Sequence, residues 1–302
     1  MNSRRTFLKS AVAGAAGLGV AGAGSQASAA ENTAAVQPVD RRTLGRTEAE
    51  VSILGLGLGS AFTKPRAQDP EAAIMILEKA LEFGINYWDT SRGYKESESL
   101  IAPVLQQHRD DIFLVTKSKG RTYDAFMRDI ETSLKTLKTD HIDLMHIWNL
   151  PAEADLDEIE QGALKAIHKL RDEKVISHFG VTGHSGAQIL MDAINRFDPD
   201  ALLSVYPCTR DDEGRYEDQL LPLARERKMG VVAMKTVKRA RNAELIGSDL
   251  VRYALSLEGI ASTIVGLDTL GHLLENVQMA TDFKPLTPKE MVAMHQDVSR
   301  AV

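Results

Sequence analysis

Three residues with the chemistry of a proton donor stand close together in the chain. Asp89 ends a short apolar run, Asn86–Asp89. Tyr94 follows five residues later, and Lys117 ends the next run, Ile112–Lys117. If the two runs are neighbouring strands, about 5 Å apart, the carboxylate and the amine can pair across their ends. A carboxylate beside a lysine keeps both groups ionised, and a lysine aimed at a tyrosine hydroxyl stabilises the phenolate. A tyrosine tuned in this way can act as general acid toward a carbonyl oxygen that is receiving a hydride. The same residues also read as a structural ion pair beside a loop aromatic, and their types alone leave both readings open.

Bringing such groups together requires strands whose ends converge. From residue 41 onward, apolar runs alternate with amphipathic stretches of ten to seventeen residues. The runs are Ile53–Leu58, Asn86–Asp89, Ile112–Lys117, Ile142–Trp148, His178–Gly183, Ala201–Tyr206, Val231–Met234 and Thr263–Leu267. Helical patterns cover Pro70–Phe83, Glu96–Gln107, Tyr123–Leu137, Asp155–Arg171, Ala187–Arg196, Glu217–Lys228 and Ala243–Leu257. One or two more cover Leu270–Ala280 and Pro288–Val298. This alternation predicts an α/β fold, a (β/α)8 barrel over residues 41–302. Arg42–Leu44 and Val51–Ile53 flank a Gly-Arg-Thr turn and predict a short hairpin over the barrel's bottom. A doubly wound sheet is the rival, but Gly55, Gly57 and Gly59 lack the spacing of its phosphate loop. A barrel places its site at the C-terminal strand ends, where Asp89-Thr90, Lys117-Ser118, His146, Thr182-Gly183-His184 and Lys235 fall.

Asp89-Thr90-Ser91-Arg92-Gly93-Tyr94, followed by Ser97-Glu98, is similar to the aldo-keto reductase signature D-T-A-x-x-Y-x-x-S-E. Phe113–Lys117, Ser133–Leu137, Thr139–Leu144, Gly180–His184, Val232–Lys235 and Ile264–Gly266 with Glu275-Asn276 resemble further motifs of that family in order. The resemblance spans Leu44 to Asn276. It implies an NAD(P)H-dependent reductase of aldehydes, ketones or sugars, with a proton relay of Tyr94, Lys117 and Asp89.

The chain departs from the family pattern at several positions. The family's histidine on the fourth strand corresponds to Trp148. His146 stands on the same strand face, roughly 6–7 Å deeper. It reads either as a partial substitute for the missing group or as a packed barrel residue. Thr182-Gly183 replaces the pair that holds the nicotinamide amide, Ser204 a glutamine, and Met234 a stacking aromatic. Gly266, Asp268 and His272 fall where the family meets a 2′-phosphate; Thr269, Glu275 and Asn276 could hold adenosine. Lys235, Lys238, Arg239 and Arg241 read as a pyrophosphate contact or as a solvated helix start. The resemblance, so modified, implies weakened dinucleotide binding, with NADH at least as well placed as NADPH. Two rivals follow: a redox-inactive barrel that binds a small carbonyl or sugar ligand, and a non-redox isomerase or lyase reusing Tyr94 and Lys117.

The 302 residues include 36 Lys+Arg and 42 Asp+Glu, 43% hydrophobic and 26% charged residues. That is the balance of a globular protein with a large core, and its net negative charge argues against general nucleic-acid binding. One cysteine, Cys208, excludes an intramolecular disulfide framework. His146, His178 and His184 lack metal-site spacing, so no metal is expected. Ser3-Arg4-Arg5-Thr6-Phe7-Leu8-Lys9, the uncharged Ala- and Gly-rich stretch after it and Ala27-Ser28-Ala29 look like a twin-arginine signal peptide over residues 1–29. Residues 30–40 read as a linker. This predicts export by the twin-arginine machinery to the periplasm, without stable membrane insertion.

Overall fold

The computed structural model describes residues 37–237 and 247–300. The signal-like segment and Lys238, Arg239 and Arg241 lie outside the described residues. Two antiparallel strands open the fold, β1 (Arg41–Thr43) and β2 (Glu50–Ser52), with Arg42 opposite Val51 and a turn at Gly45–Thr47. This is the hairpin expected from the sequence.

Eight parallel strands then close a barrel. They are β3 (Leu54–Gly57), β4 (Tyr87–Asp89), β5 (Phe113–Ser118), β6 (Ile142–Ile147), β7 (Ile176–Thr182), β8 (Ala201–Val205), β9 (Gly230–Met234) and β10 (Ile260–Val265). Neighbours follow chain order, and β10 pairs back onto β3 with Ile264 opposite Gly55. Closure leaves the barrel no free edge.

The helices are α1 (Ser60–Arg66), α2 (Pro70–Glu82), α3 (Ser97–Gln107), α4 (Tyr123–Leu137), α5 (Leu156–Gln161) and α6 (Ala163–Asp172). After them come α7 (Ala187–Phe197), α8 (Leu221–Glu226), α9 (Gly247–Ser256), α10 (Leu270–Thr281) and α11 (Pro288–Arg300). Their starts are chemically marked. The side chains of Asp69, Thr122, Asp155 and Thr269 accept backbone N–H bonds at the first turns of α2, α4, α5 and α10. The apolar stripe of α4, Phe126, Ile130 and Leu137, is buried against the barrel.

Some boundaries differ from the sequence reading. The stretch read as one helix over Asp155–Arg171 is two, α5 and α6, broken at Gly162. There the backbone approaches Arg121 so closely that a Cβ would lie 2.3 Å from its carbonyl oxygen. α1 escaped the pattern because it is short and carries Pro65. The stretch read as Glu217–Lys228 begins as a π turn, Tyr216–Leu220, before α8.

Inside the barrel, bulk on one strand meets a gap on the next. His146 of β6 lies opposite Gly180 of β7, where a Cβ would come within 2.5 Å of the imidazole. Filling the interior this way makes it a packed core rather than a channel.

Candidate active site

β4 pairs with β5 so that Asp89 lies opposite Val115, and Lys117 stands two residues further along the same face. The lysine side chain bends back to meet the carboxylate. Its Nζ donates to Asp89 Oδ1 at 2.5 Å and to the Thr90 carbonyl at 2.8 Å. Both side chains are about 1% exposed. Burial pushes the Asp89 carboxyl above its usual range, while the charge and hydrogen bond of Lys117 oppose that shift.

Tyr94 is carried by the loop between β4 and α3. Thr90 N donates to Val115 O at 2.8 Å, Arg92 N to Lys117 O at 3.1 Å and Tyr94 N to Ser91 O at 2.9 Å. Ser97 Oγ lies 2.7 Å from Thr90 Oγ1 and donates to Leu58 O at 2.6 Å. Buried Glu98 pairs with Arg92 and accepts hydrogen bonds from Thr116 and Ser133. The conspicuous Ser97-Glu98 dipeptide therefore braces the tyrosine loop.

The Lys117 ammonium sits 5.1 Å from the Tyr94 ring centroid. Its charge pulls the phenol down. Burial and the Asp89 charge outweigh that pull, leaving the hydroxyl above its ordinary value. The sequence reading anticipated the lysine's pull but not this balance, because burial depth is not visible in residue types. The phenol is consequently protonated at neutral pH.

Trp148 stands edge-on to Tyr94, with centroids 5.2 Å apart at 85°. Its backbone is fixed on both sides: N donates to Ser118 O at 2.8 Å, and Arg121 Nη2 donates to its carbonyl at 3.0 Å. Its ring lies so close to Gly93 that a Cβ there would be 2.2 Å from the indole.

A cleft of about 660 Å³ opens at the C-terminal strand ends. Asp89, Tyr94, Lys117 and Trp148 line one part of it, with Thr182, Met234 and Lys235. Gly266, Asp268, His272, Glu275 and Asn276 line it beside β10 and α10. These sequence-selected residues are thus brought together.

Four others are not. His146 is fully buried below the cleft, packed against Gly180 of β7. Burial, reinforced by the Lys117 charge, lowers its pKa to about 3, so it is neutral and supplies no imidazolium. Of its two readings, the packed barrel residue is the one the geometry supports. Gly183 stands against Leu150 O and Leu190, and Ser204 is sealed inside β8. Thr269 spends its hydroxyl on the N–H of His272 at the start of α10. All four are absent from the cleft wall.

Sequence reasoning missed Ser60 and Ala61 at the start of α1, which also line the cleft. The Gly57–Gly59 stretch just before them is the available signal, although its spacing does not match a phosphate loop.

The wall suits a dinucleotide. Asn276 Nδ2 donates to His272 O at 2.6 Å, while its Oδ1 is buried without a partner. A buried lone acceptor costs free energy until a donor such as a base amino group reaches it. Thr182 and Lys235 add polar groups to the same wall.

The model of the Aldo/keto reductase family matches residues 53–244, more than half of the chain. The chain is similar to the uncharacterized oxidoreductase YqkF of Bacillus subtilis, 26% identical over 86% of this chain and 98% of that one. It is also similar to L-galactose dehydrogenase of Arabidopsis thaliana, 27% identical over 82% and 90% of the two chains. An aldo-keto reductase from Bacillus halodurans, solved in its holo form, shares the fold with a TM-score of 0.70. It is 23% identical over 87% of this chain and 97% of its own.

Proposed function

Because the chain belongs to the aldo/keto reductase family, we propose that this NAD(P)-dependent oxidoreductase reduces a small aldehyde, ketone or sugar carbonyl with Tyr94 as the proton donor. The observation that carries this reading is a buried Lys117–Asp89 ion pair set against a protonated phenol on the wall of an open cleft.

When bound, the reduced nicotinamide supplies a hydride to the carbonyl carbon. Asn276, Thr182 and Lys235 are among the residues that would hold the cofactor. The chain's own part is the proton. Tyr94 donates its phenolic hydrogen to the carbonyl oxygen, which leaves as an alcohol. Lys117 stabilises the phenolate left behind, and Asp89 with Thr90 O keeps the ammonium in place. Trp148 walls the site beside Tyr94 and limits water there. The similarity to L-galactose dehydrogenase supports a sugar-sized substrate.

Titration of the protein with NADH and NADPH, followed by assay on a simple aldehyde, tests the reading. Binding and turnover are expected, with Tyr94→Phe lowering kcat by about 10²–10⁴-fold while nucleotide affinity holds. Failure to bind either nucleotide would defeat it.

The signal-like residues 1–29 support periplasmic localisation through the twin-arginine route, a pathway read from sequence. Replacing Arg4-Arg5 by Lys-Lys should leave precursor in the cytoplasm. Normal export of that variant would remove this part of the proposal.

A further inference from the structure

We infer that Lys119 makes the site selective for carbonyl substrates that carry a carboxylate, a refinement that rests on the reductase reading above. Lys119 lies two residues past Lys117, just beyond the end of β5. Its ammonium sits 4.5 Å from the Trp148 ring centroid. Lys119 itself is not among the cleft-lining residues, but Trp148 is, and it meets Tyr94 through its own ring, so the ammonium lies within about 10 Å of the Tyr94 ring.

The exposed Lys119 ammonium itself has no paired acid among the described residues. Two exposed lysines, Lys79 and Lys169, pair with Glu82 and Glu173, whereas Lys119 rests on an aromatic face instead. The nearby acid, Asp89, is already occupied by Lys117. Arg121, which fixes the Trp148 carbonyl, is a second cation here, its charge facing Glu158 and its Nη1 buried without a partner. The cleft-wall carboxylates Glu275, which has no ion pair among the described residues, and Asp268, paired with His272, belong to the β10–α10 part.

The indole explains why this ammonium is useful. A ring face holds a cation electrostatically while leaving its N–H donors unspent. Trp148 is itself fixed by backbone bonds to Ser118 and Arg121. The result is a pre-positioned cation beside the reducing position, able to attract a carboxylate and orient the carbonyl toward Tyr94. Trp148 has taken the position where the family places histidine, and it provides the face on which Lys119 rests.

The test compares benzaldehyde with 4-carboxybenzaldehyde at saturating nucleotide. The wild-type protein should show the lower KM for the carboxylated aldehyde, and that preference should shrink with added salt. Lys119→Met, which keeps an unbranched stem of similar length, should reduce the preference about tenfold through KM rather than kcat, and Lys119→Arg should restore it. Equal KM values for both aldehydes in the wild type, or loss on both equally in the variant, would overturn the inference. If neither aldehyde is turned over, the reductase reading fails separately. Tryptophan-fluorescence titration with benzoate and benzyl alcohol then still decides. Tighter benzoate binding that disappears in Lys119→Met supports the carboxylate site, and equal binding of the two rejects it.

Discussion

Tyr94 can give up a proton only while it holds one, so the balance on its hydroxyl sets the working pH. Lys117 pulls the phenol down, burial and Asp89 push it up, and the net is upward. Reduction should therefore run at a constant kcat/KM from pH 6 to 9 and decline only above about pH 10. A decline centred below pH 8 would mean another group controls the step. His146 carries a different pH signature. Its folded pKa of about 3 lies below the ordinary value of 6.5. The unfolded chain therefore binds a proton that the fold refuses, and stability is lost as pH falls from 6.5 toward 3. Urea unfolding at pH 7 and pH 5 should show about 2 kcal/mol lost from this residue. A His146→Gln variant should lack that component. Equal acid sensitivity in both proteins would mean that the imidazole is not held neutral.

The loop from Thr90 to Ser97 is the element on which the site depends, and it is stiffened by partners from four directions. β3 supplies the Leu58 carbonyl just past its end, β5 supplies backbone acceptors and Thr116, α4 supplies Ser133, and α3 supplies Glu98. Gly93 sits at the loop's tightest approach to Trp148. Gly93→Ala should push the partly exposed indole aside, because a Cβ 2.2 Å from it is impossible. We expect kcat/KM to fall about 10–100-fold, the scale of an ångström-level misplacement. The melting temperature should stay within about 3 °C, since the displaced ring is not a core residue. A large loss of stability with normal kinetics would show that the ring is part of the packing and not of the site.

The whole molecule separates its two ends. The candidate catalytic groups gather at the C-terminal mouth, while the β1–β2 hairpin lies at the opposite end. There Arg46 N donates to Lys228 O, and its guanidinium reaches the Asp198 and Pro199 carbonyls. Leu44 is fully buried against Gly230 at the start of β9. Leu44→Ala should cost about 2–5 kcal/mol by cavity formation. KM should not change, because nothing at that end touches the cleft; a shifted KM would show that the two ends are coupled. Much of this organisation was legible beforehand. Strand periodicity located all eight barrel strands within a few residues, because burial on both faces leaves continuous apolar runs. Asp89, Tyr94 and Lys117 could be named because their types and spacing matched a family signature, which decided between two readings that the residue types alone left open. What the linear chain left undecided were quantities set by neighbours far away in sequence. Whether His146 reaches the mouth depends on depth within the barrel. Whether Thr269 faces a ligand depends on where α10 needs its cap. Whether the phenol rises or falls depends on burial competing with one ammonium. Residue order determined which groups were present and along which strands they lay; closure of the barrel decided which of them share a surface, because register and solvent exclusion are properties of packed strands together.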